Sequence, residues 1–404
     1  MSSCSAGQAD ISNLKSDISN LESQISNGKL DAMAGLNFTR NDRPTLGVEI
    51  ELQLIDVESF ALANRIEDVL AALPDSLQDV VKPELMQSYV EINTGICETV
   101  ADARTDLTGK LQAVEKVLDT LGLKPLWSAS HPFSSWREQK ITPNDRYYRL
   151  VESMQDIARR LVTFGLHVHV GLDTGDKAIN VCDRMLRYLP LLLALSSNSP
   201  FWEGRNTGLQ SNRSKIMEML PTAGLPHQMR NWSEYVWVVN HLIDTGFINS
   251  IREIWWDIRP HNNFGTVEVR VCDMPPNLDH VMGITALVQC LVHAISLDVE
   301  EGTYQLDYHP MMVQQNKWRA SRFGAEAKLV SGIDYQQQSV VETVQNIVNR
   351  LRPLAVSLGC VAELESVLSI SGSTGAKQQL EIFEETGSRR EVVRQMIEKN
   401  HWSL

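Results

Sequence analysis

The chain has 404 residues, 43% of them hydrophobic and 22% charged, proportions ordinary for a globular protein of one large domain or two. Its net charge of −13 argues against nucleic acid or an anionic membrane as partner, since both demand a basic face, and the absence of a run of about 18 apolar residues predicts no transmembrane helix. Six cysteines without a C-x-x-C pair, behind a polar start that lacks a signal-peptide core, predict reduced thiols and a cytoplasmic protein.

Residues 1–44 differ in character from the rest of the chain. Ile11, Leu14, Ile18, Leu21 and Ile25 alternate spacings of three and four, a heptad pattern of little more than two repeats. This predicts an amphipathic helix docked on the body or on a partner subunit, compatible with a homodimer; a partly disordered extension is the competitor. A linker ends at Pro44, and one catalytic domain is expected over 45–404. Strands are predicted at 45–55, 88–93, 163–171 and 265–272. Helices are predicted near 103–121, 150–162, 176–196, 280–298, 339–358 and 376–399. The strands lie far apart and are not βαβ repeats, so the fold class is α+β: an antiparallel sheet with helices packed to one side.

The strands carry an oddity. In "TLGVEIELQLID" the residues Leu46, Val48, Ile50, Leu52 and Leu54 form one apolar face, which leaves Glu49 and Glu51 together on the other. Two carboxylates on one face repel, and without a compensating cation one tends to be protonated. Either that face meets water or a cation sits there. "GLHVHVGLD" places His167 and His169 on one face, and "GTVEVRVCD" does so with Glu268 and Arg270. "PELMQSYVEINTG" adds Glu84 and Glu91. Singly these read as a structural histidine pair or a cross-strand ion pair; together they suggest one sheet with a shared charged face. A carboxylate-rich set with little nitrogen and no sulfur suits Mg²⁺ or Mn²⁺, and such an ion beside an arginine points to phosphates. Glu84 and Glu91 are an odd number apart, so Glu84 must lie before the strand, in a bend after Pro83, to join that face. Walker and Rossmann glycine motifs are absent. Any nucleotide would be held by metals and side chains, with Arg205, Ser211, Arg213 and Arg259 as candidates from "SSNSPFWEGRNTGLQSNRS" and "RPHNNFGTVEVR".

In order along the chain, "GVEIELQLID", "PELMQSYVEINTG", "HVHVG", "SSNSPFWEGRNTGLQSNRS", "WWDIRPHNNFGTVEVRVCD" and "NKWRASRFG" resemble the type 2 glutamate–cysteine ligase family of carboxylate–amine ligases. The resemblance implies a fold similar to the catalytic domain of glutamine synthetase, with an antiparallel sheet as the wall of an active-site funnel. It also implies ATP-dependent joining of a carboxylate, typically the γ-carboxylate of glutamate, to an amine such as that of cysteine. By the same similarity Glu49, His167 and Glu268 would hold the metal on the ATP phosphates. Glu51, Glu84 and Glu91 would hold one nearer the substrate. Arg270 would stabilise the transferring phosphoryl group, with Glu268 beside it, and His169 would face nucleotide or substrate. The loop from Phe201 to Ser214 or the "NKWRASRFG" segment would close over the site. Two rivals remain at this level: a metal-dependent amidohydrolase, which needs further histidines at strand ends, and a non-catalytic nucleotide- or metal-binding protein of the same fold.

Overall fold

The computed structural model describes residues 36–303, 309–331 and 334–399. The expected helix over 11–25, and with it any homodimer contact it makes, lies outside them.

Seven strands build the main sheet: β1 (Leu46–Asp56), β2 (Val81–Lys82), β3 (Tyr89–Asn93), β4 (Leu123–Leu126), β5 (Gly165–Gly171), β6 (Ile258–His261) and β7 (Thr266–Asp273). Their order in space is β6–β7–β5–β1–β3–β2, with β4 paired to the end of β1. Every pairing is antiparallel. The alternation of β1 is realised: Leu46, Val48, Ile50, Leu52 and Leu54 are all buried in the core. Against that apolar face pack the helices α1 (Val100–Thr120), α3 (Gly175–Met185), α4 (Leu189–Ser196) and α6 (Leu278–Glu300), while α2 (Asp145–Met154) lies near the other face. The α1 helix starts at a reciprocal Thr99/Asp102 capping box and buries Val100, Ala103, Leu107, Leu111, Val114 and Leu118, one stripe at helical spacing. It stops before Gly122, whose φ of 67° suits a residue without Cβ. By length and hydropathy alone α6 could cross a membrane, but 83% of its most apolar window is buried inside this chain.

Three expected helices are broken, each by an identifiable residue. The stretch 150–162 ends at Gln155, which has φ 49°, and resumes only for Asp156–Arg159. The stretch 176–196 splits into α3 and α4 ahead of Pro190, which occupies the first turn of α4, where its missing N–H costs nothing. The last, 376–399, divides at Gly387, where φ is 65°, into Gly375–Thr386 and Arg389–Lys399. The two-residue β2, the short β4 and β6, and the helices α5 (Trp232–Asp244), α7 (Pro310–Phe323) and Val361–Ile370 are additional to the elements expected from the sequence.

Residues 36–44, grouped with the linker by sequence, are seated on the body. Phe38 meets Trp232 edge-to-face. The Thr39 N–H donates to Asn262 O (2.9 Å) and the Asn41 N–H to Leu172 O (2.9 Å).

Candidate active site

The polar face of the sheet forms the floor of a cavity of about 610 Å³. Strand register decides who meets whom. Glu51 stands directly opposite Glu91, Glu49 opposite His167, Glu268 opposite His169, and Arg259 opposite Glu268. Glu84 sits between β2 and β3, in the bend after Pro83, and lines the same cavity. Ten of the sequence candidates therefore share one wall: Glu49, Glu51, Glu84, Glu91, His167, His169, Arg213, Arg259, Glu268 and Arg270.

Two groups form within it. In the first, ligand atoms of Glu49, His169 and Glu268 lie within 4.8 Å of one another. The sequence reading places His167 in this trio and His169 outside it; the register seats His169, opposite Glu268, in the cluster instead. His167 remains beside it, with Nδ1 3.1 Å from Glu49 Oε2. His169 Nδ1 is engaged by Thr266 Oγ1 at 2.9 Å. Its Nε2 is buried, 3.3 Å from Glu49 Oε1 and 4.0 Å from Glu268 Oε1, yet makes no hydrogen bond of acceptable geometry. An imidazole fixed through one nitrogen, with the other orphaned between two carboxylates, fits a divalent cation. Burial penalises the charge on Glu268, but Arg259 and Arg270 outweigh it and hold the carboxyl far below its usual range. Arg259 does so through Nε to Oε2 at 2.7 Å, while its Nη1 donates to Ile254 O at 2.7 Å. Arg270 also bonds Glu268 directly.

The second group is Glu51, Glu84 and Glu91. Burial pushes Glu51 up to about 7, with Arg213 opposing and Glu91 adding to the rise. Burial and their mutual repulsion raise Glu84 well above the carboxylate range, and burial with Glu49 raises Glu91. The pair on β1 thus splits. Glu49 stays ionised against burial because His167 and His169 face it, whereas Glu51 is poised between its charged and neutral forms.

A β-bulge arranges the arginines. Between Val269 and Cys272 the chain takes three steps along β7 against two along β5. Asp257 O accepts both the Arg270 N–H (2.8 Å) and the Val271 N–H (3.0 Å). The extra residue turns Asp273 away from the apolar face that strict alternation predicts. There it accepts from Ser199 Oγ (2.7 Å), Ser211 Oγ (2.8 Å) and Asn198 N (2.9 Å). Ser211 is therefore a buried anchor outside the cavity wall, and Arg205 is exposed in a small hairpin, also outside it. Nor does the Phe201–Ser214 loop arch over the site: its Gln210 and Ser211 N–H groups bond Ser321 O, and only Arg213 reaches the cavity. The "NKWRASRFG" segment belongs to α7, where buried Lys317 bonds Asp257 Oδ2 (2.6 Å) and pairs with Glu218 (2.8 Å).

Lys82, Arg146, Tyr147, Arg252, Trp255, His261 and Phe264 also line the cavity, and sequence reasoning misses them. His261 and Phe264 stand inside a motif read only for Arg259. Arg146 and Tyr147 lie at the start of α2, where no strand pattern points. Among the described residues, His227, His241 and His293 do not line the cavity, so the extra histidines of an amidohydrolase are not supplied from there.

This antiparallel wall with its rows of carboxylates, histidines and arginines belongs to an ATP-dependent ligase that joins a carboxylate to an amine, the class given by the family match. Residues 45–399 match the glutamate-cysteine ligase family 2 (GCS2) model, and the chain belongs to that family. It is 43% identical over 359 residues, 88% of this chain and 96% of the relative, to a "Putative glutamate--cysteine ligase 2" of Gloeobacter violaceus. It is 40% identical over 374 residues, 90% of this chain and 98% of the relative, to a "Putative glutamate--cysteine ligase 2-1" of Arthrobacter sp.. Among solved structures, the glutamate–cysteine ligase of Francisella tularensis in complex with AMP matches with TM-score 0.66 at 15% identity, over 91% of this chain and 90% of that one. A bifunctional glutathione synthetase from Pasteurella multocida matches with TM-score 0.66 at 13% identity over 89% of this chain, which spans 52% of that larger protein. These two likenesses establish the shared fold.

Proposed function

We propose that the enzyme joins the γ-carboxylate of glutamate to the amine of cysteine, by way of an acyl phosphate formed from ATP. The observation that carries this reading is the orphaned His169 Nε2 between Glu49 and Glu268, next to a second carboxylate trio and under Arg270. Glu49, His169 and Glu268 would hold Mg²⁺ or Mn²⁺ on the nucleotide phosphates, and Glu51, Glu84 and Glu91 a second ion nearer the amino acid. Such ions neutralise phosphate charge and orient the reactants.

The chain's own groups do the rest. The substrate carboxylate attacks the γ-phosphorus, giving an acyl phosphate and ADP; the amine then displaces phosphate to make the amide. Arg270, held by Glu268 on its own strand, faces the transferring phosphoryl group, and Arg213 stands on the Glu51 side. Fixed cations of this kind stabilise charge that grows in the transition state. Arg259 bonds Glu268 and two backbone carbonyls and so positions Glu268. The partners of this reading are small molecules alone.

The test is to incubate protein with Mg²⁺, ATP and glutamate, with and without cysteine or other amines, and to assay ADP and phosphate. Hydroxylamine added as acceptor should yield γ-glutamyl hydroxamate. Phosphate release that needs both glutamate and an amine supports the reading. Amide hydrolysis without ATP would support the amidohydrolase, and tight ATP binding with no turnover under any amine the binding protein.

A further inference from the structure

We propose that Phe264, backed by His261 and clamped in place by Asn41, is the stacking platform for the nucleotide base. The proposal rests on the ATP-using reading above and assigns residues within it.

Phe264 lies in the turn joining β6 to β7 and is 57% exposed, although it lines the cavity. An aromatic ring that lines the cavity and is still open to solvent offers a flat apolar face to a ligand. Its ring is stacked on His261, with centroids 4.1 Å apart and planes 10° from parallel. It stands edge-on to His169, the centroids 5.7 Å apart. A flat face beside the cluster that would hold the phosphate-bound ion is where a base joined to those phosphates can lie. Bases stack on aromatic faces with little regard to sequence or hydrogen-bond pattern.

The turn is also held more firmly than a loop of four residues needs. Asn41 Nδ2 donates to both Phe264 O and Gly265 O at 2.8 Å. Leu172 N–H reaches Gly265 O at 3.0 Å and Phe264 N–H reaches His261 Nδ1 at 3.3 Å. Gly265 has φ 63°, and a Cβ there would meet Thr39 O at 1.9 Å, so the segment 39–41 lies flush against the turn. Such a clamp fixes the ring before ligand arrives, which lowers the cost of binding. Asn41 is in this sense a positioning residue.

The experiment is titration calorimetry with Mg²⁺ and three probes: the β,γ-imido analogue of ATP, the corresponding GTP analogue, and inorganic tripolyphosphate. Phe264→Ala should weaken both nucleotides about five- to a hundredfold, the range found for removing a stacking aromatic, and leave tripolyphosphate within about twofold. Phe264→Trp should retain nucleotide affinity, and Asn41→Ala should weaken nucleotide alone, by less than Phe264→Ala. Circular dichroism and melting curves confirm that each variant is folded. Equal losses for nucleotide and tripolyphosphate would overturn the platform in favour of phosphate shielding by Phe264. Unchanged nucleotide affinity in a folded Phe264→Ala protein would overturn it outright. If the unaltered protein bound neither nucleotide nor tripolyphosphate, the ATP-using reading itself would fall.

Discussion

Glu268 and Glu84 show how differently two carboxylates on one wall are balanced. Glu268 is satisfied by buried Arg259 and half-buried Arg270 without any ion, so Glu268→Gln strips both of their partner. Melting of the metal-free protein should then show a loss of about 3–5 kcal/mol, as when one partner of a buried pair is removed. Glu84 faces other acids, so Glu84→Gln should raise the metal-free melting temperature by roughly 2 °C per kcal/mol of relieved repulsion. Mg²⁺ should shrink or reverse that gain. Arg270→Lys keeps the charge but loses the planar fork; kcat should fall about a hundredfold or more, on the scale of arginine contacts in phosphoryl transfer, with ATP affinity within about tenfold. His131, at 1% exposure, supplies a pH prediction. Its Nδ1 accepts the Ser134 N–H at 2.8 Å while Nε2 meets Phe60 O at 3.1 Å, so the ring must be neutral, and burial lowers it to about 3. From pH about 6.5 down to about 3 the unfolded chain takes a proton that the folded chain refuses, so stability present above 6.5 drains away as pH falls. His131→Asn should flatten the acid limb of a urea-midpoint profile by up to about 1.4 kcal/mol per pH unit.

At the level of elements, the sequence yields what periodicity can reach. The alternation in β1, β5 and β7 locates the acidic and histidine face because each strand spans at least seven residues. It cannot choose between His167 and His169, which share a face; that choice belongs to register across β5 and β7. Nor can it foresee that Asp273 changes face, because the bulge depends on Asp257 from a segment outside the strand. Arg205 and Ser211 are misplaced for a related reason: a loop's polar composition does not say whether its hydroxyls face a ligand or a buried aspartate. Close approach between elements is equally invisible. A Cβ on Gly165 would lie 2.2 Å from Arg213 Nη2, so Gly165→Ala should push that guanidinium from the wall. An overpacking cost of about 1–3 kcal/mol and reduced turnover are expected together, measurable by melting and by the ADP assay.

For the whole molecule, the described residues ahead of β1 are part of the body, held there through Phe38, Thr39 and Asn41. Deleting 1–35 should leave turnover intact, since no site candidate lies there, whereas deleting 1–44 also removes the Phe38, Thr39 and Asn41 contacts and should weaken nucleotide binding. The same strap ties residue 41 to residue 265, and the wall draws most of its side chains from strands between Leu46 and Asp273. During synthesis the earliest part of the domain must therefore wait for one made more than two hundred residues later. Until β7 emerges from the ribosome, β5 is an open edge whose residues are all destined for burial, a template for mispairing with other chains. The order of manufacture thus makes the nascent chain most vulnerable shortly before its active site can exist.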